Sequence, residues 1–78
     1  MAVPEAFSEA ATAKRLSPRQ TQVLYWRANG DTVRCLADRL GVSQSTVLFH
    51  SRNVMQRVHA VSIINALQIV LTIHPGGG

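Results

Sequence analysis

The residues with the chemistry to act on a partner are gathered in one short run, SQSTVLFHSRNV, residues 43–54. It carries an amide (Gln44), hydroxyls (Ser45, Thr46), an imidazole (His50) and a guanidinium (Arg52), with Leu48 and Phe49 among them. Arg52 stands four residues after Leu48, about one helical turn, so in a helix the two share a face. A guanidinium forks onto phosphate or onto the acceptor edge of guanine, and an exposed leucine makes apolar contact with a thymine methyl. Each also has a plainer reading, a solvated surface arginine and a leucine that covers a neighbouring element. For His50 a phosphate contact and a packed, uncharged ring are equally open.

The charge distribution favours a polyanionic partner. All eight Lys and Arg lie within residues 14–57, with only Asp31 and Asp38 as acids, so that segment alone is +6 against +4 for the chain. All but Lys14 are arginines, the side chain suited to forked contacts with phosphate. A basic stripe of this kind is the electrostatic footprint of nucleic-acid binding.

Other classes find little support. With no paired carboxylates and no nucleophile beside a base, the chain reads as a non-enzyme. The single Cys35 allows no internal disulfide, and His50, His59 and His74 are scattered without metal-ligand spacing, so neither metal nor cofactor is expected. The start, MAVPEAFSEAATAKR, has no signal-type apolar run, which points to the cytoplasm. The apolar stretch from Val58 to Ile73 is interrupted by His59, Ser62, Asn65, Gln68 and Thr72, too short and too polar to span a bilayer.

The run at 43–54 needs a scaffold, and the flanking sequence supplies helix signals in order. Residues 1–15 lack strong periodicity and read as a flexible or loosely helical arm. At LSPRQTQVLYWRANG, Ser17 can cap, Pro18 suits the first helical position and Gln20 completes a capping box. Val23, Leu24 and Trp26 give that helix its apolar side, Ala28 its close-packing point, and Gly30 a left-handed stop. Thr32 caps a second helix, VRCLADRL, with Val33, Leu36, Ala37 and Leu40 facing inward. Gly41, Val42 and Ser43 form a turn: glycine for the positive φ, valine as a plug into the core, serine as the next cap.

This is the pattern of a helix-turn-helix. Its second helix, roughly Gln44 to Arg57, buries Val47, Val54 and Val58 with help from Met55 or Phe49. The opposite side then presents Gln44, Ser45, Leu48, Ser51, Arg52 and Met55 to a groove.

A last helix, about Ser62 to Ile73, has a polar strip of Asn65, Gln68 and Thr72, and its other positions are apolar. That arc is wider than packing on one side of a small core requires. Ala66, Ile69, Val70 and Ile73 are assigned to the core, and Ile64, Leu67 and Leu71 to a two-fold helix pair between copies. The alternative is that the N-terminal arm folds back over the second face.

Residues 16–67 resemble the LuxR-type (GerE-type) DNA-binding domain of bacterial transcription regulators. The matching pieces are LSPR with VLYWRANG, DT before LADRLGVSQSTV, FHSRNV, and Ala66. FH, NV and Trp26 are nearer the quorum-sensing branch than the response-regulator branch. The resemblance implies a four-helix domain that dimerises on two-fold symmetric sites. It also implies that Leu48, Phe49 and Arg52 meet bases while Ser45, Thr46 and His50 lie near phosphate. The family usually has glutamate where Gln20 and Cys35 stand, a basic or small polar residue at Leu48, and arginine at Ile63. Gln20 keeps a capping box; Cys35 loses one, which weakens the start of its helix.

The expectation is therefore an all-α, four-helix domain over 16–74, with a flexible arm at 1–15 and a flexible tail at 75–78. It would be a bacterial transcription regulator that binds double-stranded DNA as a homodimer through Gln44, Ser45, Thr46, Leu48, Phe49, His50 and Arg52. The alternative is an interaction module that pairs with a larger LuxR-type regulator and antagonises it. No ligand-sensing or receiver domain precedes the module, so a free-standing module or a fragment is expected, one that itself takes up neither a signalling lactone nor a phosphoryl group.

Overall fold

Ser17 and Gln20 close a reciprocal cap: Ser17 Oγ accepts from the Gln20 N–H at 3.1 Å, and Gln20 Oε1 accepts from the Ser17 N–H at 2.8 Å. The computed structural model describes residues 3–72, and its secondary structure is helix alone: α1 (Glu5–Ala13), α2 (Pro18–Ala28), α3 (Val33–Leu40), α4 (Gln44–Val58) and α5 (Ile63–Leu71). The later helices open by the same local rule as α2. Thr32 Oγ1 accepts from the Cys35 N–H at 3.0 Å, Ser43 Oγ from the Thr46 N–H at 3.1 Å, and Ser62 Oγ from the Asn65 N–H at 3.0 Å. Each satisfies one amide that the first turn leaves without an intrahelical acceptor.

Helix ends are equally local. Gly41 sits at φ +69°, and the chain turns through it so that the Val42 N–H donates back to the Ala37 carbonyl at 3.0 Å. Open space surrounds a Cβ at this position, so backbone conformation, not crowding, calls for glycine. Val42 then folds under α3 against the core, as the sequence indicated.

The core has two lobes. Phe7, Leu16, Leu24, Val54, Val58, Ala66 and Val70 are among the side chains of one lobe, and Val23, Leu36, Ala37 and Val47 form the other. Adjacent residues of α2, Val23 and Leu24, serve different lobes, and α4 reaches both through Val47 and through Val54 with Val58. These two helices therefore join the two lobes. Full burial of an aliphatic side chain contributes about 1.5–3 kcal/mol. Trp26 lies half-buried on the second lobe with Val33, Leu40 and Val42.

The structure corrects the reading of residues 1–15 as an arm, and with it the helix count. Residues 5–13 form a helix whose Phe7 and Ala11 are buried, and Phe7 meets Tyr25 with ring centroids 5.1 Å apart. The apolar stripe of α1 is mostly alanine, so its periodicity is faint. Phe7 is the one large side chain that α1 buries, on the side of the helix packed against α2 and α5.

α1 packs against α5 as well as α2, so the alternative in which the N-terminal segment folds back over α5 is realised in part. Ala66 and Val70 are buried as assigned, and Ile69 is half-buried on the core. Ile64 and Leu71 remain exposed. Leu67, assigned with them to a face between copies, is half-buried against this chain's own core. Ile73 and the tail at 75–78 lie outside the described residues.

Candidate nucleic-acid interface

α4 is held from below by one stripe. Val47, Ser51, Val54 and Val58 are its buried residues, spaced four, three and four apart, the helical repeat. The opposite strip carries Ser45, Leu48, Phe49, Arg52 and Gln56, all exposed, with Gln44 at its start. At about 100° per residue, Ser45, Phe49, Arg52 and Gln56 fall within roughly 60° of arc, and Leu48 borders them. Leu48 is 45% and Phe49 53% exposed, large apolar groups offered to solvent on the helix that the turn projects.

Two sequence assignments change here. Ser51, placed on the outer face, is buried, and its hydroxyl donates to the Val47 carbonyl at 2.9 Å. A small hydroxyl satisfied by its own helix can occupy a core position that apolar pattern alone reserves for valine. Phe49, offered as core support, lies outside it, and Met55 is half-buried.

Thr46 and His50 lie on the flank of α4, both half-buried. The Thr46 hydroxyl is 2.9 Å from Ser43 Oγ at the cap, and the His50 ring meets Phe49 edge-on at 5.7 Å. Arg57 belongs to this flank too, eleven residues after Thr46 and seven after His50, and it is exposed. Gln56 on the strip and Arg57 on the flank were missed by the sequence reading. Adding eleven to Ser45 and to Thr46 would have found both.

Electrostatics leave the strip open to an anion. No acidic residue stands in the first turn of α3 or α4, so nothing neutralises the partial positive charge of those helix starts. Among the described residues one ion pair forms, Arg39 with Asp31 at 3.0 Å, and the Arg39 guanidinium also lies 5.1 Å from the Trp26 ring centroid. Arg27 donates to the Asp31 carbonyl at 2.6 Å. Arg27 and Arg39 thus tie α2 to α3, while Arg34, Arg52 and Arg57 remain exposed without a carboxylate partner among the described residues. The described residues hold no group of His, Cys, Asp and Glu that could bind a metal, and none of their helices singly is long and apolar enough to cross a membrane.

The pattern of the family described as "Bacterial regulatory proteins, luxR family" matches residues 14–70. The chain is 35% identical over 65 residues to the transcriptional activator protein EsaR of Pantoea stewartii subsp. stewartii, a match covering 83% of this chain and 25% of that protein. It is 34% identical over 53 residues to the transcriptional activator protein EchR of Dickeya chrysanthemi, covering 68% and 21%. Against the transcriptional activator protein ExpR of Dickeya dadantii (strain 3937), identity is 31% over 62 residues, covering 80% and 25%. The chain thus spans about a quarter of the length of these relatives. No solved structure gives a significant match.

Proposed function

The chain belongs to the LuxR family of bacterial regulatory proteins, and we propose that it regulates transcription by binding double-stranded DNA as a homodimer on a two-fold symmetric site. α4 enters the major groove. The observation that carries this reading is the acid-free strip on α4, which puts Arg52 beside two exposed apolar side chains, Leu48 and Phe49. Arg52 forks onto a guanine, and Leu48 and Phe49 contact thymine methyls. Gln44 reaches a base edge at the start of the helix, while Ser45, Thr46 and His50 hold phosphate. This role places the protein in the cytoplasm with the chromosome.

Homodimer formation is supported by the outer row of α5. Ile64 and Leu71, seven residues apart on one face, are exposed, and half-buried Leu67 lies between them. Two such rows pair across a two-fold axis without a charge to oppose them.

Fluorescence anisotropy with genomic fragments at two salt concentrations tests the reading. Binding that weakens steeply with salt supports it, because neutralised phosphates release counterions. Absence of binding to any fragment at low salt overturns it. That outcome would favour the second reading, in which the α5 row pairs with a larger regulator of the family and antagonises it. This reading draws support from uncharged Leu48 and from Ile63, which packs on the core where the family usually has arginine. Leu71→Glu places a charge opposite its own copy. A folded monomer by sedimentation and circular dichroism supports the seam, and an unchanged dimer refutes it.

A further inference from the structure

We propose that Gln56, near the far end of α4, reads an adenine in the major groove about two base pairs from the guanine taken by Arg52, so that recognition runs along the helix as far as its last turn. The inference rests on the DNA-binding reading and adds to it a specificity-determining residue to which that reading gives no role.

Gln56 lies four residues after Arg52 and seven after Phe49, on the strip that all three share. At about 100° per residue it falls between those two side chains in angle, at the centre of the strip. Exposed Arg57 and half-buried Thr46, His50 and Asn53 stand to one side of it. The centre of a helix seated in the major groove faces the base edges, and its flanks face the phosphates. Four residues advance about 6 Å along the helix, close to two base steps of about 3.4 Å each.

The chemistry of the side chain suits that place. Three side-chain amides serve the protein's own backbone: Gln20 Oε1 accepts from the Ser17 N–H, Asn29 Nδ2 donates to the Tyr25 carbonyl, and Asn65 Oδ1 accepts from the Val61 N–H. The Gln56 amide has no such task. It is exposed, and among the described residues neither its donor nor its acceptor is taken. A carboxamide holds donor and acceptor side by side, the complement of the acceptor N7 and donor N6 on the adenine edge. It has no charge to draw it to a phosphate, and its neighbour Arg57 supplies that charge on the flank.

Packing leaves this end of the strip open. α5 packs against α4, whose buried Val54 and Val58 share a core lobe with Ala66 and Val70. Both valines lie on the side of α4 opposite Gln56. No acidic residue follows Asp38 in the sequence, so α4 meets the phosphates along its whole length without repulsion.

Selection of duplexes from a random-sequence pool, followed by anisotropy titrations on the selected site, tests the assignment. Gln56 is exposed, so its substitutions leave the fold intact, which circular dichroism checks. Gln56→Ala is expected to lose about tenfold in preference for adenine at one position, about two base pairs from the guanine whose preference Arg52→Ala relaxes, and to bind other sequences as before. Gln56→Glu is expected to turn that preference toward cytosine, whose N4 amino group donates to a carboxylate. Replacing the adenine by 7-deazaadenine, which lacks the N7 acceptor, is expected to weaken binding of the unaltered chain and to leave Gln56→Ala unaffected. A loss that is equal across sequences moves Gln56 to phosphate and overturns the assignment, as does an unchanged selected site. In both cases a preference relaxed by Arg52→Ala leaves the DNA-binding reading standing. A chain that binds no duplex at low salt overturns that reading and the assignment together.

Discussion

The Ser51 hydroxyl donates to the Val47 carbonyl at 2.9 Å, one turn back along α4, and both residues are buried. The polar group in the middle of the buried stripe thus takes its partner from its own helix and makes no demand on the surrounding core. Ser51→Ala removes donor and need together and is expected to change stability by less than about 1 kcal/mol. Ser51→Leu overfills the same place and is expected to cost about 1–3 kcal/mol. Urea unfolding of the two variants checks the pair, and a large loss on Ser51→Ala would mean that the hydroxyl has a further partner.

Phe7 anchors α1. Phe7→Ala leaves a cavity next to Tyr25 and is expected to cost about 3–5 kcal/mol, a large share of what a domain this small commands. Thermal unfolding by circular dichroism reads it. A loss under about 0.5 kcal/mol would return residues 1–15 to the status of an arm.

Arg52→Ala is expected to cost about 1–3 kcal/mol on a specific DNA site and to relax preference at one base pair. Leu48→Ala should lose preference at a thymine-bearing step while leaving the salt dependence as it was. Anisotropy titrations against single-base variants of the site distinguish them. A uniform loss with Arg52→Ala would transfer that residue to phosphate, and unchanged specific affinity with Leu48→Ala would leave Leu48 without a role in recognition.

Arg57, on the flank with Thr46 and His50, is expected to behave differently. Arg57→Ala should weaken binding evenly across sequences and lower the slope of log affinity against log salt by about 1, the signature of one lost phosphate contact. An unchanged slope would place Arg57 away from DNA.

Cys35→Glu is expected to stabilise the protein by about 0.5–1 kcal/mol, raising Tm by roughly 2–8 °C. Thr32 already accepts from the Cys35 N–H at 3.0 Å, and a glutamate would return the bond to the Thr32 N–H and place a negative charge at the start of α3. Calorimetry checks it; a fall in Tm would show that the backbone of Thr32 is not free to be capped.

The sequence by itself determined where α2 to α5 begin and how the turn before α4 is made. Ser17, Thr32, Ser43 and Ser62 each cap an amide three residues ahead, and Gly41 reverses the chain within its own turn. Such interactions are complete within about four residues, so neighbouring letters spell them out. The same locality made the exposure of Leu48 and Arg52 on the outer side of α4 legible, since three valines at helical spacing fix the inner side. Only the tertiary structure decided which borderline residues go inside. Ser51 is buried on the side of α4 that faces the other helices, and a serine can satisfy its hydroxyl on its own helix. Phe7 makes α1 a structural helix because α2 and α5 together supply the surface that buries it, and Leu67 packs partly against the same core. Each of these outcomes depends on surfaces supplied by distant segments. Hydrophobic burial has no direction along the chain, and its partners are known only once the helices have packed.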